Sequence, residues 1–233
     1  MSFSWGVIVM NHSLWNCLII AIVAYLYGSI PFGYLFTRLF AHKKVYEHGT
    51  GTIGVANTFT VGGKRAGYLT VLGEASKGLL PVFIVRALFH SVEPVLIGVF
   101  FALLGTSFPI FLPGKYTKGR TLIGWASLFL SFYTTITVGL IWTATAILFK
   151  KARVSFYVSS LSYPFLLYLF ENHVAYLVFG LCVITVFFIR SGSHNDDFNK
   201  NHIFEKWQEK FDASKSSNQR PFPCQSGVRQ QGL

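Results

Sequence analysis

Three stretches of this sequence hold more glycine, hydroxyl and cationic side chains than a simple connector requires. The first is Gly49-Thr50-Gly51-Thr52-Ile53-Gly54-Val55-Ala56-Asn57, followed by Gly62-Gly63-Lys64-Arg65. Closely spaced glycines let backbone N–H groups converge on an anion, and hydroxyls add donors. A helix starting just after such a loop contributes its positive end. Spacing alone favours the plainer alternative, a flexible loop that binds nothing. The second stretch runs from Gly105-Thr106-Ser107-Phe108-Pro109 to Lys115-Tyr116-Thr117-Lys118-Gly119-Arg120. Its clustered cations, hydroxyl and glycines before a helix suit a phosphate. Basic topology explains the charges, but not the glycines that frame them. The third, Arg190 to Lys200 with His194, Asn195, Asp196 and Asp197, reads locally as a polar juxtamembrane turn.

Two further sets lie inside apolar runs. Glu74 and Lys77 are three apart and share a helix face. An ionised group at mid-bilayer costs about 2.5–3.5 kcal/mol on insertion scales and turns towards the bundle interior. A structural ion pair and a site wall are equally compatible with that spacing. Ser155, Ser159, Ser160 and Ser162 either line a polar cavity or hold helices together. Cys17, Cys182 and Cys224 form no metal or disulfide pattern, and the histidines form no ligand motif, so neither metal nor cofactor is expected.

The elements that must position these residues are membrane helices. Of 233 residues, 52% are hydrophobic and only 12% charged, and the mean hydropathy is +0.47. Soluble domains carry about a quarter charged residues. Apolar runs at 14–40, 66–89, 92–112, 154–170 and 173–190 match the roughly 20 residues that a crossing helix needs. The stretch 120–149 is too long for one crossing, and Ser131-Phe132-Tyr133-Thr134-Thr135 predicts a hairpin of two shorter helices there. The expected fold is therefore an all-α polytopic bundle of about seven spans. A transmembrane barrel is disfavoured, because the runs do not alternate with period two.

Basic residues set the orientation. Segment 1–13 has no Lys or Arg, while Lys43, Lys44, Lys64 and Arg65 mark the first loop. Lys115, Lys118 and Arg120 mark the third, and Lys150, Lys151 and Arg153 the fifth. The intervening loops carry only Arg86 or nothing, so the N-terminus is expected outside and the C-terminus in the cytoplasm. The first helix lacks a basic leader and a small-residue cleavage site, so it is expected to be retained. Residues 1–190 read as a membrane domain and 191–233 as a polar tail, partly disordered. In that tail Phe204, Trp207 and Phe211 have the spacing of a short interfacial helix. The net charge of +11 is accounted for by topology and anionic headgroups, and nucleic acid is not an expected partner.

Taken in order, these segments resemble the bacterial acyl-phosphate–glycerol-3-phosphate acyltransferase (PlsY) family. Gly28-Ser29-Ile30-Pro31-Phe32-Gly33-Tyr34-Leu35 is similar to that family's first-helix signature. Gly49, Gly51, Gly54, Asn57, Gly63, Lys64, Ala66 and Gly67 keep register with its loop GSGNxGATNxxRxxGKKAG. Glu74, Lys77-Gly78 and Pro81 resemble D-x-x-KG-x-x-P, and Gly105 with Phe108-Pro109 resembles GHxFP. Lys115 to Gly119 is similar to KGGKG, Val158-Ser159 with Ser162 to VSLxS, and His194 to the start of HRENIxR. The likeness runs from residue 28 to about 200 and puts the motif loops on the side that the charges make cytoplasmic. The chain departs from the pattern at Thr60, where the family has arginine, and at Thr106, where it has histidine. Tyr116 and Thr117 replace glycines, and Asp197 and Lys200 replace asparagine and arginine. Arg65 and Arg120 are the candidates to compensate for the arginine lost at Thr60.

The resemblance implies transfer of an acyl chain from acyl phosphate to the 1-hydroxyl of glycerol 3-phosphate, giving lysophosphatidic acid. It implies membrane lipids and an enzyme making acyl phosphate as partners, and a multi-pass protein of the bacterial inner membrane. Lys118, Ser159 and Lys77 would be the catalytic set. Thr50, Gly51, Gly54, Asn57, Lys115, Gly119 and His194 would bind substrate. Two other classes stay open: a divergent relative with a changed acceptor or without turnover, and a small transporter. The internal repeats common in transporters are not found.

Overall fold

The computed structural model describes residues 3–149 and 152–191, and side chains within 14–149 and 154–190. His194, expected to bind substrate, and the interfacial helix expected at Phe204, Trp207 and Phe211 therefore lie outside the described residues, as do Cys224, Asp197 and Lys200. The described elements are helical: α1 (Phe3–Gly28), α2 (Phe32–Ala41), a short 3-10 turn (Val45–Glu47), α3 (Val55–Leu88) and α4 (Glu93–Ser107). Then follow α5 (Arg120–Leu130), α6 (Phe132–Phe149), α7 (Ala152–Glu171) and α8 (Val174–Ser191).

Local chemistry explains the breaks. The run 14–40, expected as one helix, is interrupted between Gly28 and Phe32. Pro31 has no N–H to return to the helix and biases Ile30 away from helical geometry. The α2 piece then lies on α3, with Gly33 and Thr37 one turn apart on its buried face and Leu35, Leu39 and Phe40 facing away. Within α3 the chain turns at Gly63, whose φ of 79° and ψ of −178° suit glycine. The longer part of α3 beyond that turn covers the expected 66–89 stretch. Residues 120–149 divide at Ser131 (φ −154°, ψ 94°), inside the hydroxyl run where a break was expected.

Among the described residues, three stretches are long and apolar enough to cross a membrane: Leu14–Ala41, Val55–Leu88 and Phe132–Phe149. Glu93–Ser107, Arg120–Leu130 and Val174–Arg190 are shorter apolar helices. Val82, Val99, Leu103, Leu122, Leu167 and Val183 form the middle of the core, joining α3, α4, α5, α7 and α8. The outer faces are equally apolar. Leu14, Trp15, Ile19 and Val23 on α1, and Leu140, Ile147 and Leu148 on α6, point away from the protein. Contiguous surfaces of this kind call for lipid around them.

The α1–α4 crossing anchors the bundle near the motif loops. A Cβ on Gly28 would stand 2.2 Å from the Ala102 carbonyl oxygen, and one on Gly105 would stand 2.2 Å from that of Tyr25. Small residues let the backbones approach this closely. The contact sets where α4 ends and the 106–119 loop begins. Gly105→Val should therefore lower the thermal midpoint in detergent, at a cost of about 1–3 kcal/mol. Gly139 on α6, with nothing near its Cβ position, is the control. Gly139→Ala should leave the midpoint unchanged or raise it, by about 0.5–1 kcal/mol.

Candidate active site

The glycine-rich loop before α3 is built around one amide. Asn57 is fully buried in the first turn of α3. Its Oδ1 accepts from the Thr50 N–H at 3.0 Å. Its Nδ2 lies within donating distance of the carbonyls of Val45 (2.9 Å), His48 (3.1 Å) and Thr52 (2.8 Å). One side chain thus folds residues 45–52 over the start of the helix. Gly49 is required here: its φ is 63°, and a Cβ would fall 2.1 Å from Asn57 Oδ1. Gly51 (φ 76°) donates its N–H to the His48 carbonyl at 3.2 Å, and the Thr50 and Thr52 hydroxyls lie 3.1 Å apart. Gly54 caps α3 in extended geometry, and its carbonyl accepts from both the Thr58 N–H and hydroxyl at 3.0 Å. The N–H groups of Thr50, Gly51 and Ile53 are all engaged within the protein. These three donors therefore serve to build a wall and are not turned towards an anion.

Backbone hydrogen bonds join this wall to the second motif segment. The Ile53 N–H donates to the Tyr116 carbonyl at 3.2 Å, and the Thr117 N–H donates to the Thr106 carbonyl at 3.3 Å. Residues 50–57, 105–109 and 115–119, far apart in sequence, therefore meet. The Thr106 hydroxyl donates to the Gly28 carbonyl at 3.0 Å, and the Tyr25 hydroxyl donates to that of Phe108 at 2.8 Å. Thr106 is thus part of the α1–α4 joint. Gly119 adopts φ 67° to start α5, and a Cβ there would strike Leu103 at 2.3 Å. Lys118 is partly buried beside it.

Lys115 is held by an aromatic stack that the sequence reading did not single out. Its Nζ lies 4.9 Å from the Tyr46 ring centroid, and Tyr46 stacks on Tyr34 at 5.7 Å. Arg38 closes the row, its guanidinium 5.9 Å from the Tyr34 ring and its Nη1 donating to the Tyr34 hydroxyl at 2.6 Å. Nearby, Glu47 pairs with Lys44 at 2.9 Å. That hydrogen bond and charge hold the exposed Lys44 ammonium above its ordinary pKa. The stack follows no spacing rule, because it joins separate elements, whereas Lys44 and Glu47 are a local pair three residues apart.

Ser159 lies across the bundle on α7. It is buried, its hydroxyl donating to the Phe156 carbonyl at 3.1 Å. With Arg120, Ser127, Tyr163 and Phe187 it lines a cavity of about 300 Å³ among α5, α6, α7 and α8. Arg120 immediately follows Gly119, so the cavity begins where the Lys115–Gly119 segment ends. The Arg120 guanidinium is stacked 3.5 Å from the Phe156 ring centroid. Arg65, the other candidate compensating cation, is exposed beside the Gly63 turn.

Glu74 and Lys77 form an ion pair at 2.7 Å, and both are almost wholly buried. The ammonium also lies 5.2 Å from the Phe32 ring centroid. The neighbouring Gly78 backs onto the Leu122 carbonyl and the Ala126 amide, in the first turns of α5. The pair therefore stands behind α5, in the body of the bundle.

The sequence model described as glycerol-3-phosphate acyltransferase matches residues 18–200. A glycerol-3-phosphate acyltransferase of Pelagibacter ubique is 35% identical over 176 residues, covering 73% of this chain and 88% of the relative. One from Jannaschia is 34% identical over 170 residues, covering 73% and 83%. A Streptococcus pyogenes relative of the same description is 33% identical over 186 residues, covering 76% and 86%. In crystal structures, the integral membrane glycerol 3-phosphate acyltransferase PlsY in its glycerol 3-phosphate form has a similar fold. The TM-score is 0.66 at 19% identity, covering 88% of this chain and 95% of that one. Its lysophosphatidic acid form gives 0.65 at 18% identity.

Two outcomes follow from the buried polar groups. Asn57→Ala leaves the Thr50 N–H and buried carbonyls without their partner, at about 1–3 kcal/mol for each group left unsatisfied. Hydrogen exchange at Thr50 should accelerate relative to amides in α4. Lys77→Met strands the Glu74 carboxylate and should cost about 3–5 kcal/mol. The double variant Glu74→Leu, Lys77→Met should recover most of that loss in a thermal melt.

Proposed function

The chain belongs to the glycerol-3-phosphate acyltransferase family, and we propose that it moves an acyl chain from an acyl phosphate to the 1-hydroxyl of glycerol 3-phosphate, giving lysophosphatidic acid. The observation that carries this reading is the adjacency of two unlike surfaces. A polar wall joined by the Ile53–Tyr116 and Thr106–Thr117 hydrogen bonds leads, through Arg120, to the largely apolar cavity of about 300 Å³. An amphiphile with a phosphate head and an acyl tail fits such a boundary, and the volume lies within the range of small-molecule sites.

The acceptor's hydroxyl oxygen attacks the acyl carbonyl carbon. The bond from that carbon to the phosphate oxygen breaks, and phosphate leaves with the electron pair. The hydroxyl proton ends on the departing phosphate, so no protein base is needed. Acyl phosphate is already activated, and holding two phosphorylated substrates in reach lowers the barrier by proximity and by charge neutralisation. Lys118 is assigned to the leaving phosphate, with Lys115 and the backbone about Gly119 beside it. Thr50, Gly51, Gly54 and Asn57 shape the acceptor side, Asn57 from within as the residue that sets the loop. Ser159 lines the donor's cavity, and Lys77, locked to Glu74, backs the α5 wall. His194 is assigned to substrate binding from the resemblance alone.

The protein is a membrane protein, and we take its topology to be about seven spans. The break at Ser131, which divides residues 120–149, and the alternating basic loops support an outer N-terminus and a cytoplasmic C-terminus. The active face would then be cytoplasmic, on the inner membrane of a bacterium, where a partner enzyme making acyl phosphate could deliver it.

Purified protein should release phosphate from palmitoyl phosphate only when glycerol 3-phosphate is added. Release that ignores the acceptor, or none at all, would sink the assignment. Lys118→Ala should abolish transfer while the protein stays inserted and folded. Undiminished turnover in that variant would remove Lys118 from the leaving-group role.

A further inference from the structure

Arg190, near the end of α8, has surroundings unlike those of a cation that only marks topology. Its guanidinium carbon lies 3.8 Å from the ring centroid of Phe108 and 4.7 Å from that of Tyr116. Aromatic faces fix a guanidinium in place without supplying the oxygen acceptors its N–H groups take. The Nε is buried and has no hydrogen-bond partner among the described residues. The same holds for the hydroxyls of Ser107 and Thr117, which are buried and flank Phe108 and Tyr116 in the chain. The two segments are bonded together through the Thr117 N–H and the Thr106 carbonyl. Ser107 Oγ also lies 3.7 Å from where a Cβ would stand on Gly119. Buried polar atoms are normally paired. Three such atoms on the segments around the Lys115–Gly119 loop point to a hydrogen-bonding ligand there.

The departures from the family pattern point the same way. At Thr60 the chain lacks the loop arginine, and that exposed hydroxyl donates to the Ala56 carbonyl at 3.1 Å. At Tyr116 it carries a ring in place of a glycine, and that ring is one of the two against Arg190. The ring that stands in place of a glycine thus holds a guanidinium beside the Lys115–Gly119 loop. A lysine would be a point charge there, whereas a guanidinium offers a planar fork that matches two phosphate oxygens.

We infer that Arg190, positioned by Phe108 and Tyr116, binds a substrate phosphate. The inference rests on the phosphate-binding reading of the Lys115–Gly119 loop. The phosphate is a terminal dianion, either the acceptor's monoester or the donor's acyl phosphate, and kinetics with each substrate varied in turn tells them apart.

The full-length protein in detergent is assayed by phosphate release, with palmitoyl phosphate and glycerol 3-phosphate varied separately. Arg190→Gln should raise the KM of one of them at least tenfold while changing kcat less. A rise confined to glycerol 3-phosphate assigns the acceptor's phosphate, and one confined to palmitoyl phosphate assigns the donor's. Arg190→Lys should fall between Gln and wild type. Tyr116→Leu keeps the charge and removes the ring, so it should raise the same KM, and Tyr116→Phe should restore most of the loss. Should Arg190→Gln fail to fold, the Tyr116 pair carries the test. Both KM values within twofold of wild type in Arg190→Gln, or in Tyr116→Leu, would overturn the inference, even if the melting temperature falls. The underlying reading fails separately: Lys118→Ala with full turnover refutes the loop assignment, whereas an inactive Lys118→Ala beside an unaltered Arg190→Gln refutes only the role of Arg190.

Discussion

Backbone polar groups beside a hydrocarbon phase must find partners inside the protein, and the rest of this structure follows from that constraint. The helices satisfy it internally along their length. Where helices stop, the chain satisfies it with particular side chains. Asn57 binds the backbone of residues 45–52, the Thr106 hydroxyl takes the Gly28 carbonyl, and the Tyr25 hydroxyl takes that of Phe108. These bonds hold the non-helical segments in one arrangement at the helix ends. The polar groups of the motif loops gather at that rim, while the outer faces of α1 and α6 remain apolar.

That economy bears on how acyl transfer can be catalysed. Two motif positions where a base would be sought are committed elsewhere. Thr106 stands where the family has histidine and serves the α1–α4 joint, and Lys77 is neutralised by Glu74 in the body of the bundle. What the rim offers is fixed charge and fixed geometry, with Lys115 aligned against Tyr46 and Arg120 against Phe156. Such a site suits a donor that brings its own leaving group and its own proton acceptor. The aromatic residues matter in this respect. Each holds a long, flexible cation in place, reducing the entropy lost when a phosphate is bound.

The substitution at Tyr116 takes its meaning from contacts in space. Taken singly, a tyrosine for a glycine at 116 and a threonine for an arginine at 60 look like erosion of a phosphate site. In the folded protein the Tyr116 carbonyl accepts from Ile53, and its ring lies against Arg190. The residue that restricts the loop also brings a guanidinium to it.

The sequence by itself determined the membrane class, the helical architecture, the break near Ser131 and the family. Each of these depends on local composition, periodicity or motif order, which a linear reading can count. It also marked Glu74 and Lys77 as partners, since residues three apart on one helix must face the same way. It placed one helix over 14–40 because the apolar run outweighed a single proline, whereas Pro31 divides it. Only the tertiary structure decided that Asn57 faces its own loop and that Ser159 shares a cavity with Arg120. The same is true of Arg190, which in sequence only opens a polar juxtamembrane turn. Its meaning depends on Phe108 and Tyr116, more than seventy residues earlier. Contacts of that kind are set by how α4, α5 and α8 pack. No spacing rule along the chain carries them.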